Sequence, residues 1–546
     1  MKGKKLILFA CLFFFENILF AAPPNIFDMI LVGDPVLEDL RYISLESGKS
    51  FLSFTPPLAP AELKIFLDSI DESLLSEPAR EAFYRIKKRL KPTAPLSFSG
   101  DLFSVFLNIN SNIEVKARTN TAIEWYPEYP KISPLISLPL KLFFADSFQL
   151  YVEPSLTMDT DYYHDANYFG SNATIDFGEY DFSMPLRAFM ALGGGWWNFQ
   201  IGRDRLSWGT GEMGNLTVSD NPDYYDFLRL SVFSKFVKYS VFISQMPMDV
   251  QDNLYTFKDE NFSGLIRTMN RYFYLHRIDV NLFQRFSVSL MEGLMVGNSP
   301  LEIRYLNPIT IFHSLYSSWD YDYWPKSENT RGHMNGSIFS IELNWNILKS
   351  LAIYGQFVTN EFTTPQERTE APPYPPDGLG HMAGIRYNHS FDSWASVFFF
   401  EYANTTPYLY VNSSPFASFI HMRYLSDSSR ARYTFIGYSR DLLAFTLGAN
   451  FFKYDILKIS GLFSILFQGE HDIKYDWERS DAAFAEKNPS GIVERKYIAS
   501  LSARWKLNSF LAVNGSLTGL YSQNNSHVSG SNETGLQSSL SISFSY

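Results

Sequence analysis

The C-terminal residues constrain this chain most. Leu540, Ile542, Phe544 and Tyr546 alternate with Ser539, Ser541, Ser543 and Ser545. A two-residue period sends the two sets to opposite faces of a β-strand. The pattern recurs in Tyr497, Ala499, Leu501, Ala503, Trp505 and Leu507, set against Ser500, Ser502, Arg504 and Lys506. It recurs again in Phe339, Ile341, Leu343, Trp345 and Ile347, set against Ser340, Glu342, Asn344 and Asn346. An amphipathic sheet in water and a barrel wall in lipid both need such strands. Composition separates them: aromatics make up 17%, with 49 Phe, 33 Tyr and 10 Trp, which suits interfacial girdles. Charged residues are only 19%, and 46% of residues are hydrophobic, which excludes disorder for most of the chain.

The first residues read as an address. Lys2, Lys4 and Lys5 precede an apolar run, and Ala21 and Ala22 precede Pro23 and Pro24. This is the order of a secretory signal peptide, assigned to residues 1–21. Residues 22–95 are expected to form a periplasmic helical region. Pro60 and Ala61 open one helix, and Pro78 opens another with Phe83, Tyr84, Ile86 and Leu90 as its apolar stripe. Residues 96–546 are expected to be an outer-membrane β-barrel. After the leader no apolar run approaches the roughly 18 residues of a membrane-spanning helix, so no such helix is expected, while an exported chain can still span a membrane as a closed barrel. The N-terminal region is too small for the plug of a TonB-dependent transporter.

Connection lengths alternate as outer-membrane barrels require. Long connections fall near 158–177, 207–226, 247–269, 295–335, 361–378, 404–416, 468–494 and 520–534. Short ones fall near 145–147, 191–195, 235–237, 281–284, 346–349, 389–393, 454–457 and 507–509. One external connection, near 439–442, is short and breaks the order. A raw count gives about 21 strands, but single-chain bacterial barrels have an even number. The expected fold is an all-β, transmembrane antiparallel barrel of about 18 strands, within 16 to 20.

Several chemistries are absent. One cysteine excludes a disulfide framework and a Cys-based zinc site. With 46 basic against 57 acidic residues, net −11, the chain lacks the basic excess that nucleic-acid binding needs. The nine His residues show no metal-ligand spacing, and no nucleophile elbow or phosphate loop occurs. Asp159, Asp161 and Asp165 have loose calcium-like spacing without the Gly and terminal Glu of a known loop. No catalytic residue, no metal and no cofactor is expected.

One segment is specific. Gly202-Arg203-Asp204-Arg205-Leu206-Ser207-Trp208-Gly209-Thr210-Gly211 is followed by Leu216 to Pro222 and by Phe227-Leu228-Arg229-Leu230. Alternation with Trp197, Phe199 and Ile201 would carry Arg203 and Arg205 outward, unless a bulge at Gly202 turns them into the lumen. These residues, with Glu302-Ile303-Arg304-Tyr305-Leu306-Asn307-Pro308-Ile309, resemble the capsule assembly Wzi-like family of outer-membrane proteins. Thr210 and Pro222 depart from that family's usual Pro and Ala.

The resemblance implies a non-enzymatic, lectin-like role in binding, anchoring or assembling surface polysaccharide. Candidate ligand-binding residues are Arg203, Asp204, Arg205 and Trp208. The external run Trp319-Asp320-Tyr321-Asp322-Tyr323-Trp324 through Arg331 adds aromatic faces and hydrogen-bonding charges suited to sugars. The structural alternative for the first set is lumen packing, and for the second the end of an aromatic girdle. Expected partners are outer-membrane lipid, surface polysaccharide, and the outer-membrane assembly machinery through the strand ending in Tyr546. A porin or uptake channel, or a surface adhesin, is the competing reading.

Overall fold

The computed structural model describes residues 27–91, 94–125, 133–158, 168–173, 180–181, 186–249, 268–297, 300–312, 335–362, 376–412, 415–424, 431–453, 455–471, 473 and 487–546. Asp159, Asp161, Asp165, the Trp319–Trp324 run, Arg331 and the leader lie outside these residues.

Alternation dictates the wall. Each segment pairs antiparallel with the next, and the last strand, Asn532–Ser545, pairs back onto Asn110–Arg118. Among the described residues the ladder has eighteen segments: 103–118, 136–144, 148–158, 188–193, 197–204, 225–233, 237–245, 271–282, 286–297, 335–348, 351–361, 378–391, 394–405, 442–453, 457–468, 494–506, 511–523 and 532–545. The pairing therefore closes, and every wall segment finds a neighbour on both sides. Closure is what a strand-built wall needs in lipid, where an unpaired backbone group has no water to turn to. The first three segments break at one level. Pro139 and Pro154 cannot donate there, so their carbonyls accept instead, from Asn108 N at 3.0 Å and Leu138 N at 2.9 Å.

The two faces are as the alternation requires. Leu501, Leu540, Ile542 and Leu447 are exposed, and Ser464, Ser522 and Thr518 are buried. Trp196, Phe236, Phe283, Trp345, Phe391, Trp505, Phe510 and Tyr546 are all exposed and stand at the short-turn end as an aromatic girdle. Phe283 and Gln284 both have positive φ, 57° and 61°, in the tight three-residue turn that joins Leu282 to Phe286.

The break near 439–442 has a structural cause, which also removes two strands from the raw count of 21. Ile420–Tyr424 and Ala431–Phe435 form their own hairpin, apart from the wall. Ile420, Met422 and Ile436 are buried. The described residues between 406 and 441 thus belong to one external connection folded into the lumen.

Three helices close the end of the barrel that carries the short turns: α1 (Val36–Ser47), α2 (Pro60–Leu67) and α3 (Glu77–Arg89). Pro stands in the first turn of α2 and α3, where a missing N–H costs nothing. Gly48 ends α1 at φ 68°. Leu40, Ile43, Leu63, Phe66, Phe83 and Ile86 form their shared core with Phe51 and Phe54. Arg85 bonds Asp39 at 2.6 Å, and Arg89 bonds Asp34 at 2.8 Å and Asp28 at 2.6 Å. The basic end of α3 therefore ties this cap together as well as suiting the helix dipole. Burial tends to raise the Asp28 carboxyl, but Arg89 and Lys141 outweigh it and hold it below the usual carboxylate range. The cap is fastened to the wall turns: Ser50 N donates to Gln284 O at 2.8 Å, Ser350 N to Leu45 O at 2.8 Å, and Lys458 pairs with Glu38 at 2.7 Å.

One external segment lies outside the wall. Ile243, Tyr274, Leu294 and Val296 occupy outward positions yet are buried. Residues 300–312 cover them as a strap, with the short 3₁₀ turn Ile303–Leu306 at its centre. Tyr305 packs on Tyr274 at 4.9 Å between ring centroids and Phe312 on His276 at 4.4 Å. Tyr305 O lies 3.1 Å from His276 Nε2, Phe312 N donates to Glu292 at 2.9 Å, and Tyr239 Oη donates to Pro308 O at 2.9 Å. Leu301, Ile303, Ile309 and Ile311 point away from the wall and are exposed.

Candidate functional site

The external connection 205–222 drops into the lumen and meets the cap. Trp208 N donates to Val218 O at 2.9 Å, which closes the loop on itself. Asn215 Oδ1 accepts from Gly211 N at 3.1 Å and from Gln356 Nε2 at 2.8 Å, while Leu216 N donates to Gln356 Oε1 at 2.7 Å. Gly209 has φ 135°, and a Cβ there would stand 2.1 Å from Gln356 Nε2, so the tight approach requires glycine. Glu401 accepts from the N–H groups of Glu212 at 2.7 Å and Met213 at 3.1 Å. Arg386 pairs with Glu212 and lies 3.9 Å over the Tyr354 ring. From below, Gly209 N donates to Phe54 O at 2.8 Å and Arg41 reaches Glu212 at 3.8 Å. Burial tends to raise the Glu212 carboxyl, but Arg386 and Arg41 outweigh it and keep it below its ordinary range.

A second external connection packs on the first. Ser219 N donates to Ile436 O at 2.7 Å, and Asn221 Nδ2 to Tyr438 O at 2.9 Å. Arg271 holds the connection by donating to Ser418 O at 2.9 Å and to Ile420 O. Between the loops and the wall lies an apolar core that includes Leu206, Trp208, Leu216, Val218, Phe242, Phe273, Met295, Met382, Tyr410 and Phe419. Cap, folded-in loops and wall thus form one continuous packing through this part of the lumen.

The four residues expected around the upper lumen separate. Arg203 points outward, because the register through Gly202 runs on without a slip. Gly202 has φ 136°, but it makes a close strand contact; a Cβ would lie 2.4 Å from Ala188 O. Arg203 holds Asp226 through two bonds of 2.7 and 2.8 Å. Asp204 faces inward, fully buried, 3.1 Å from Arg187. Arg205 braces the loop by bonding Asp220 at 2.9 Å. Trp208 is 1% exposed and packs edge-on against Phe242 at 5.4 Å.

Arg203 nevertheless marks an external patch. Its guanidinium lies 3.9 Å over the half-buried Tyr224 ring, with Arg423 on the same ring at 5.9 Å. Asp223 bridges Arg423 at 2.6 Å and Arg432 at 3.2 Å. Burial works to raise the Asp223 carboxyl; Arg432 and Arg423 outweigh it and hold it low. A flat ring, two guanidiniums and partly exposed carboxylates can stack on sugar C–H faces and bond hydroxyls. Tyr224, Asp223, Arg423 and Arg432 are not apparent from sequence reading, because the two arginines come from about 200 residues away along the chain. Among the described residues no group of three His, Cys, Asp or Glu could hold a metal.

Acid should loosen this patch. Burial pushes His421 down to about 4, with Arg271 and Arg203 acting the same way and Asp223 and Asp226 opposing. A lowered histidine stabilises the fold fully above its unfolded value of 6.5 and loses that stability as pH falls toward 4. The lowered Asp223 is lost as pH falls through its own folded value, so both signs agree. Protease susceptibility of the 406–441 connection is expected to rise between pH 6.5 and 4. His421→Leu should flatten that rise; an unchanged profile would show that His421 does not set it.

The profile of the Capsule assembly protein Wzi family matches residues 136–534, most of the barrel. The chain belongs to the Wzi capsule assembly family. Among solved structures, the Wzi fold of Escherichia coli matches with a TM-score of 0.59 at 12% identity, covering 94% of this chain and 98% of that one. That protein is described as an outer membrane protein involved in group 1 capsule assembly and a carbohydrate-binding β-barrel. OprD of Pseudomonas aeruginosa matches at 8% identity with a TM-score of 0.40, covering 81% and 94% of the two chains. OmpT of Vibrio cholerae matches at 8% identity with a TM-score of 0.34, covering 82% and 99%. No curated protein sequence matches. Both sequence elements that carry the Wzi resemblance are fold devices here: 202–222 packs the lumen and 302–309 forms the strap.

Proposed function

We propose that this Wzi-family barrel sits in the outer membrane and binds surface polysaccharide there without catalysing a reaction on it. The observation that carries this reading is the meeting of the external loop and the periplasmic cap inside the lumen, through Gly209, Phe54, Glu212 and Arg41. A wall built around such a packing is a platform for holding a ligand, not a pore for passing one. The external patch around Tyr224 supports sugar contact, and the Trp319–Trp324 run with Arg331 would add further aromatic faces. Phe544 and Tyr546, outward on the last strand, support recognition of that strand by the assembly machinery.

Two measurements test the reading. In planar bilayers the purified protein should give no steady conductance; a large constant current would favour a channel. In a pull-down with purified capsular polysaccharide, Tyr224→Ala and Arg203→Ala should each weaken binding at least fivefold. The Arg203–Asp226 pair is partly exposed, with Asp226 at 42%, so Arg203→Ala should cost at most about 1 kcal/mol of stability. Unchanged glycan retention in both variants would remove the patch from the binding surface.

A further inference from the structure

The lumen has two unlike sides. On segments 225–233 through 442–453 part of the inward face, Tyr225, Phe242, Phe273, Met295, Ile338 and Leu442 among it, belongs to the apolar core. From segment 457–468 round to 110–118 the inward residues are mostly polar, many of them short hydroxyls and amides, with charged Lys458, Glu494, Arg504 and Lys116 and apolar Leu462, Ile498 and Leu520 among them. The hydroxyls and amides bond mostly to one another: Ser500 with Thr518 at 2.8 Å, Ser516 with Ser539 at 2.7 Å, and Asn514 with Ser541 at 3.0 Å. A cavity of about 670 Å³ lies between α1 and this hydroxyl-lined wall. That size falls within the roughly 300–1,000 Å³ typical of small-molecule sites. Its rim includes Asp39, Asp455 and Lys506, at the end of the barrel that carries the cap and the short turns. At the opposite end, Ile123 and Trp125 pack onto Ile498 and Leu520.

The lining has the chemistry of a saccharide site. Tyr42, Phe399 and Phe452 supply aromatic faces, and Ser460, Ser500 and Ser502 supply hydroxyls. Cations outnumber acids on the lining by seven to five. Most of them are committed: Lys458 to Glu38, Lys506 to Asp455, Arg386 to Glu212. Arg504 is inward on its strand, lines the cavity and is exposed, and among the described residues its guanidinium makes no ion pair or hydrogen bond. An uncommitted guanidinium at the mouth of a hydroxylated, aromatic-floored pocket suits a sugar carboxylate.

We infer that this cavity is a second, periplasm-facing site that takes a short acidic oligosaccharide segment, with Arg504 as its carboxylate contact. The inference rests on the polysaccharide-binding reading but concerns the opposite end of the barrel from the Tyr224 patch. The test uses the exported protein, which has no cysteine once the expected leader with Cys11 is removed, and places one new cysteine at Ser502. The rate of maleimide labelling is measured in detergent with an acidic oligogalacturonate, and again with neutral maltohexaose. The acidic sugar should slow labelling at least fivefold, the neutral one should not, and adding Arg504→Gln should abolish the protection. A parallel protein carrying Gln245→Cys, an exposed position beside Asp226 on the next strand, reports the external patch. Protection at 245 but not at 502 overturns the cavity site and leaves the surface reading standing; protection at 502 but not at 245 does the reverse. Equal protection at 502 by both sugars, or protection that survives Arg504→Gln, overturns the acidic-ligand assignment.

Discussion

Glu62→Ala is expected to release the helical cap from the wall. Glu62 on α2 meets Lys238 at 2.5 Å, with side-chain exposures of 5% and 0%. The lysine also donates to Thr55 Oγ1 at 2.9 Å, and Glu62 accepts from Ala59 N at 3.0 Å. Truncation leaves the buried ammonium without its direct ion-pair partner, which typically costs about 3–5 kcal/mol. Replacing both partners with neutral side chains of similar size is far milder, because no stranded charge remains. Glu62→Gln combined with Lys238→Met should therefore recover more than half of the loss. Protease release of residues 27–91 from detergent-solubilised protein, followed against denaturant, reads the difference. A single-variant loss below about 1 kcal/mol would show that the cap is held elsewhere.

Trp208→Ala should open the lumen from the other side. The ring is enclosed by the apolar core, and its backbone N–H closes the 205–222 loop on Val218. Removing an enclosed indole typically costs about 3–5 kcal/mol, in transfer energy and in the void left behind. Trp208→Phe keeps the edge contact with Phe242 and should cost less than half as much. The Ala variant is expected to show fluctuating current in planar bilayers and new cleavage within 205–222, and the Phe variant neither. Equal behaviour of the two variants would mean that the indole's volume does not hold the loop.

The wall was legible because lipid and lumen impose opposite polarity on successive residues. Leu540 and Ser541 announce their faces without help from any distant residue. The same rule miscounts wherever a sheet has two unlike faces for another reason. Ile420-His421-Met422-Arg423 alternates too, yet all four are buried in a hairpin that stands apart from the wall. Arg203 shows what alternation could decide, since its outward direction follows from Trp197, Phe199 and Ile201. What surrounds it could not be read. Tyr224 gains its second cation from a hairpin some 200 residues later, and pairing at that separation leaves no local pattern. The cavity was hidden for a similar reason: Ser500, Ser502 and Arg504 read as an ordinary polar face until α1 is placed opposite them.

The strap also dates its own arrival. Its seat is made by Tyr239, Tyr274 and Glu292, which come from three neighbouring strands. Until those strands stand side by side in final register, residues 300–312 have nowhere to dock. Docking is therefore a late event in biogenesis, after the hairpins on that flank have zipped together. The stacking of Phe312 on His276 can serve as a clock for it, separating molecules that are merely inserted from those whose outer surface is finished.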